Sequence, residues 1–122
     1  MKGVHLMSII PDFDSSEIDV INKTLQERYG KSIELQMADS ELRLDPDATQ
    51  LTLCPTVYWK HDECNFVICK IGKSRYHCLF YYSANEQVGT GKKEYDDILE
   101  CVVSLVRVQA DYELERQGLF DK

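Results

Sequence analysis

The stretch NFVICKIGKSRYHCLFYY, residues 65 to 82, alternates like a pair of strands but carries apolar side chains on both faces. Gly72 and Lys73 offer a two-residue turn between its halves. That turn sets Val67 opposite Cys78, Cys69 opposite Tyr76 and His77 opposite Ile68. Phe66, Ile68, Leu79 and Tyr81 then fall on one side, and Val67, Ile71, Tyr76, Phe80 and Tyr82 on the other. An antiparallel sheet usually leaves one face polar, so this hairpin needs cover on both faces. The rest of the chain supplies that cover or leaves part of it to a partner.

Two segments are built to cover a sheet. In DFDSSEIDVINKTLQERYG, Asp14 is placed to cap a helix, with Glu17 three residues on to complete a capping box. Ile18, Ile21, Leu25 and Tyr29 form one stripe, and Gly30 supplies a left-handed stop. A second helix is expected from about Lys92 to Gln117, roughly 39 Å long at about 1.5 Å per residue. Its apolar arc runs through Tyr95, Ile98, Leu99, Val102, Val103, Leu105, Val106, Val108, Ala110, Tyr112 and Leu114. Packing on one sheet uses only about 100° of a helix, and this arc exceeds half the circumference. The excess wants a second partner.

Between the helices the period changes to two. Ile33, Leu35 and Met37 share a face, as do Leu42 and Leu44. DPDATQ is a polar loop. LTLCPTVYW reads as a strand interrupted at Pro55, hence at an edge or bulge, and KHDEC turns it into the hairpin. VHLMSII, near the start, reads as a further strand. It lacks a strongly basic flank and a small-residue cleavage site, so it is not a credible signal peptide, and Met7 offers an alternative start to Met1. The expected fold is α+β in a single domain spanning 1–122: an N-terminal helix, an antiparallel sheet of four to five strands, and a long C-terminal helix packed on the sheet.

The chain has 122 residues and a net charge of −7, from 21 acidic and 14 basic side chains. That balance argues against a nucleic-acid partner, which needs clustered Lys and Arg to displace counterions. It also argues against an anionic membrane surface, and no apolar stretch reaches the roughly 20 residues of a membrane span. Five cysteines at 54, 64, 69, 78 and 101 form an odd set without framework spacing. They read as reduced, buried thiols in a cytoplasmic protein.

The residue types raise four chemistries. QVGTGKKEYDD, residues 87–97, looks like a phosphate loop, but residue 86 is Glu86 where the first glycine belongs. Lys92 is followed by Lys93 rather than Ser or Thr, so no nucleotide is expected. Gly89 and Gly91 serve instead to reverse the chain, with Thr90 as helix cap. His61, Cys64, Cys69, His77 and Cys78 are metal-ligand types, but they lack C-x-x-C spacing and leave the strands on opposed faces, so no metal is expected. Cys54, or Cys64 near His61, would need an exposed thiol and an electropositive setting to act as a nucleophile. Tyr58, Trp59, Tyr76, Phe80, Tyr81 and Tyr82 could stack bases, but only Lys70, Lys73 and Arg75 stand near them, which favours core packing.

The residues therefore point to a non-enzymatic, acidic protein-binding module without a cofactor: an adaptor, chaperone-like or regulatory protein, and a homodimer. Its contact surface is expected at Leu99, Val103, Val106, Val108, Ala110 and Tyr112, with no catalytic or metal site. Two rival readings are an inhibitor or immunity-type protein masking a basic toxin or nucleic-acid-binding enzyme, and a small Cys/His-dependent enzyme or metal sensor.

Overall fold

The computed structural model describes residues 10–47 and 49–118. It contains an N-terminal helix α1 (Ser15–Tyr29), strands β1 (Gln36–Leu42), β2 (Thr52–His61), β3 (Cys64–Gly72), β4 (Arg75–Tyr81) and β5 (Gln87–Gly89), and a C-terminal helix α2 (Ile98–Arg116). The α+β expectation holds. The strand proposed over VHLMSII lies, apart from Ile10, outside the described residues.

The ends of α1 follow from local chemistry. The Asp14 carboxylate accepts from the Glu17 amide at 2.8 Å, and Glu17 accepts from the Asp14 amide at 2.8 Å, which closes the capping box. Gly30 adopts φ 73° and ends the helix, its amide returning to the Gln26 carbonyl at 2.8 Å.

The five strands form one antiparallel meander in the order β1-β2-β3-β4-β5. Pro55 does not interrupt β2. It stands opposite Asp39 on β1, one residue beyond Thr56–Cys69, the last pair joining β2 to β3. The strand has a neighbour on both sides only from Thr56 to Tyr58 and is an edge where the proline sits, the position at which a missing amide is tolerated. Asp62 and Glu63 make the β2–β3 turn with φ 49° and 68°, the backbone of a tight two-residue hairpin loop.

The β3–β4 turn falls one residue later than the sequence suggests. Lys73 and Ser74 form it, Ser74 takes φ 53°, and Ile71 is absorbed in a bulge between Lys70 and Gly72. A one-residue slip exchanges partners: Cys69 faces His77, Ile68 faces Cys78, Lys70 faces Tyr76, and Phe66 faces Phe80. Phe80 and Tyr76 therefore share a face with Phe66 and Ile68, while Leu79 and Tyr81 join Val67.

Helix α2 begins at Ile98, not near Lys92. Asp97 is its cap, accepting from the Glu100 amide at 2.9 Å, and Thr90 is not. Tyr95, expected on the helix, is instead extended. Its amide and carbonyl both bond Tyr76 at 2.8 Å, prolonging the edge beyond β5.

One core forms between the sheet and the two helices. Ile21 and Leu25 from α1 and Cys101, Val102, Leu105 and Val106 from α2 meet Val57, Trp59, Cys64, Phe66, Ile68, Tyr76, Cys78 and Phe80. These strand residues all belong to one parity, so both helices lie on the same face. No described helix crosses the other face. Within the strands the only carboxylates are Asp39 and Glu41, both on β1 and both on the helix side, since their partners are Pro55 and Leu53.

Candidate functional site

The strip of α2 that turns away from the core contains part of the expected contact surface. Leu99 is 50% exposed and Val103 39%. Ala110 is half-buried beside them, and Leu114, 37% exposed, extends the strip. At about 100° per residue these four fall within about 60° of the helix circumference. Val106 does not belong with them. It is 4% exposed and lies in the core. Val108 and Tyr112 lie round the other flank, half-buried against the core, with the Tyr112 ring 5.3 Å from Phe80 and 5.9 Å from Tyr82. The expected surface thus divides into an outward strip, a core residue and a packed flank.

The C-terminal half of α2 also walls a groove of about 520 Å³ against Tyr29 and the β2–β3 turn. Its polar groups are engaged with one another. The Tyr82 hydroxyl donates to Glu113 and accepts from the Gln109 amide at 2.8 Å. Gln117 donates to Glu113 at 2.6 Å, and the Arg116 guanidinium stacks over the Tyr82 ring at 4.1 Å. The Tyr82 hydroxyl and then Gln117 hold the Glu113 carboxyl below its ordinary range, the opposite of what a general acid needs. His61 stacks on Tyr29 at 3.7 Å, and burial pushes the Tyr29 phenol up to about 12. Among the described residues, the buried Tyr29 hydroxyl and Trp59 indole N–H find no hydrogen-bond partner of good geometry.

The cysteine and histidine candidates are separated by the strand register. His61 and Cys64 flank the β2–β3 turn, Cys69 and His77 face each other on the side away from the two helices, and Cys78 points into the core. Among the described residues, no group of three or more His, Cys, Asp or Glu is arranged to hold a metal ion. All five cysteines are buried free thiols. Burial pushes Cys54 and Cys64 up to about 11 and raises Cys69. Cys101 is raised first by its hydrogen bond with Cys78 and then by burial.

A thiol at about 11 is about 0.1% ionised at pH 8, against about a quarter for a free cysteine. Cys54 and Cys64 should therefore react with a small disulfide reagent at least about 100-fold slower in the native protein than in the urea-unfolded chain. One thiol reacting at the unfolded rate would restore a nucleophilic role.

The QVGTGKKEYDD stretch also resolves differently from its appearance. Gln87–Gly89 is strand β5, Gly91 takes φ 90°, and the helix starts only at Ile98. Lys92 reaches Glu100 at 3.0 Å and lies over the Tyr95 ring at 4.8 Å, and Thr90 shares a 2.6 Å hydrogen bond with the Tyr95 hydroxyl. A phosphate loop runs directly into its helix. Here Asp97 occupies the place an anion would take.

The sequence gives no sign of a buried ionic cluster at the start of α1. Lys70, 4% exposed, donates to Glu17, 7% exposed, and to the Asp12 carbonyl, each at 2.9 Å. Tyr76 donates to the second Glu17 oxygen, and burial followed by that contact raises the Tyr76 phenol. Phe13 covers the Lys70 ammonium, 5.8 Å from its ring centre. Glu17 is thus both capping residue and buried counter-ion. Every charge here has a partner, so the cluster fastens α1 to β3 and β4.

No helix among the described residues is long and apolar enough to cross a membrane. No protein-family model matches the chain, and comparison with curated proteins and with solved structures finds no match either.

Proposed function

We propose that this chain is a non-enzymatic protein-binding module that works as a homodimer, two copies pairing through the outward strip of α2. The carrying observation is the strip itself: Leu99, Val103, Ala110 and Leu114 on one side of a helix whose other side already packs on the sheet. Their spacing of four, seven and four residues reads the same in both directions. Two such helices laid antiparallel about a two-fold axis set Leu99 against Leu114 and Val103 against Ala110. An isologous contact requires this self-complementarity. The small Ala110 opposite Val103 lets the helices approach to the usual 8–10 Å or so.

Val103→Glu tests the reading, because a carboxylate in the middle of the strip would be buried twice in the dimer and stay solvated in the monomer. Light scattering coupled to size exclusion should report a dimer for the parent chain. The variant should associate on the order of a hundredfold more weakly or worse, with unchanged circular dichroism. A parent chain that is monomeric throughout the micromolar range removes the reading.

A further inference from the structure

We infer that the sheet face that no described helix covers, on the layer opposite the α2 strip, binds an acidic peptide segment of a partner protein anchored by one apolar side chain. Charge distribution is the first ground. A chain with 21 acidic residues places none on this face within its five strands. Its middle presents the half-buried Tyr58, Val67, Leu79 and Tyr81, neutral and partly apolar, around Thr56 and Cys69, which are each 4% exposed. Lys60 and Arg75 are its strand cations.

The second ground is a pocket of about 470 Å³ at one end of the face. Leu42, Leu44 and Ile71 give it an apolar lining, and Ile71 belongs there because of the β3 bulge. Arg43, Arg75, His77 and Lys93 also line it, against two carboxylates, Asp45 and Glu94. Glu94 is taken up by the Arg75 guanidinium in a two-pronged contact at 2.7 and 2.9 Å. His77 is fixed by a 3.0 Å contact between Nδ1 and the Lys93 carbonyl. Lys93 itself has no salt-bridge partner among the described residues. An apolar recess bordered by cations, on an otherwise acidic molecule, complements an aliphatic or aromatic side chain with carboxylates beside it.

A second copy fits this face poorly, because stacking it on itself would set Lys60, Arg75 and Lys93 near their own images. A nucleic acid fits no better. Asp45 and Glu94 stand at the pocket, and the molecule as a whole repels a polyanion. The inference extends the binding-module reading but does not need the dimer. A monomeric chain that binds the peptide refutes the α2 contact and leaves this one standing.

The test uses the full isotope-labelled chain and three probes followed by amide chemical shifts. The first is a blocked pentapeptide with a central phenylalanine between pairs of glutamates. The second has lysines in place of the glutamates, and the third is a short oligothymidine. The acidic peptide should shift the amides of Leu42, Ile71, His77 and Lys93 saturably, and the basic peptide should not. Lys93→Glu, at an exposed site, and Ile71→Ser should each weaken that binding at least about tenfold while preserving the spectrum elsewhere. Lack of saturation at millimolar peptide, equal response to the basic peptide, or insensitivity to Lys93→Glu would overturn the proposal. So would stronger shifts of the same amides by oligothymidine, which would make this a general polyanion surface.

Discussion

Lys70→Ala is expected to lose about 3–5 kcal/mol of folding stability, because it strands the Glu17 carboxylate in the interior and leaves the Asp12 carbonyl without its donor. The cost comes from the group left behind more than from the attraction removed. Lys70→Met combined with Glu17→Gln should therefore recover most of the loss. Glutamine can still accept from the Asp14 amide through its one oxygen while its NH2 donates to the Tyr76 hydroxyl oxygen, and methionine fills the space of the lysine stem without a charge. Urea unfolding of Lys70→Met, Glu17→Gln and the double variant gives the coupling directly. A loss below about 1 kcal/mol for Lys70→Ala would mean that the pair is solvated and behaves as a surface salt bridge.

Phe80→Ala should cost a similar amount, about 3–5 kcal/mol, through a different mechanism. The ring is fully buried where α2 meets the sheet, 5.3 Å from Tyr112, 6.3 Å from Phe66 and 6.4 Å from Tyr82. Truncation removes apolar contact and leaves a cavity that three aromatic rings cannot collapse to fill. Phe80→Leu restores most of the volume and should cost less than about 2 kcal/mol. Denaturant midpoints of the two variants measure the difference. Equal effects would show that the site tolerates the void and that the ring does not hold the layers together.

Local chemistry made some of this structure readable in advance. Asp14, Glu17 and Gly30 delimit α1 because caps act within a turn or two of the chain. Residue type alone sets the β3–β4 turn one residue early, because Gly72 is the stronger turn former. The chain instead puts Ser74 in the left-handed region and takes up Ile71 in a bulge. Tyr95 fits the helical period of α2 and still ends up extended, since pairing with Tyr76 satisfies both its backbone groups.

The surface was legible only in part. Leu99, Val103 and Ala110 are outward, but Val106 falls within about 20° of Leu99 on a helical projection and is buried. Periodicity cannot separate positions so close when a second helix sets the boundary. The Lys70–Glu17 contact joins residues 53 apart in sequence, and no spacing rule reaches that far.

The position of Asp39 and Glu41 has a consequence for the molecule in concentrated solution. Among the described residues strand β1 forms one border of the sheet, and its outer side presents backbone groups that another copy could extend into a continuous ribbon. If two such borders met antiparallel about Ser40, Asp39 of each would lie opposite Glu41 of the other. If they met parallel and in register, each carboxylate would lie beside its own image. Like charges set directly across a strand pair oppose the pairing. The few acids the strands carry thus stand where they discourage runaway polymerisation.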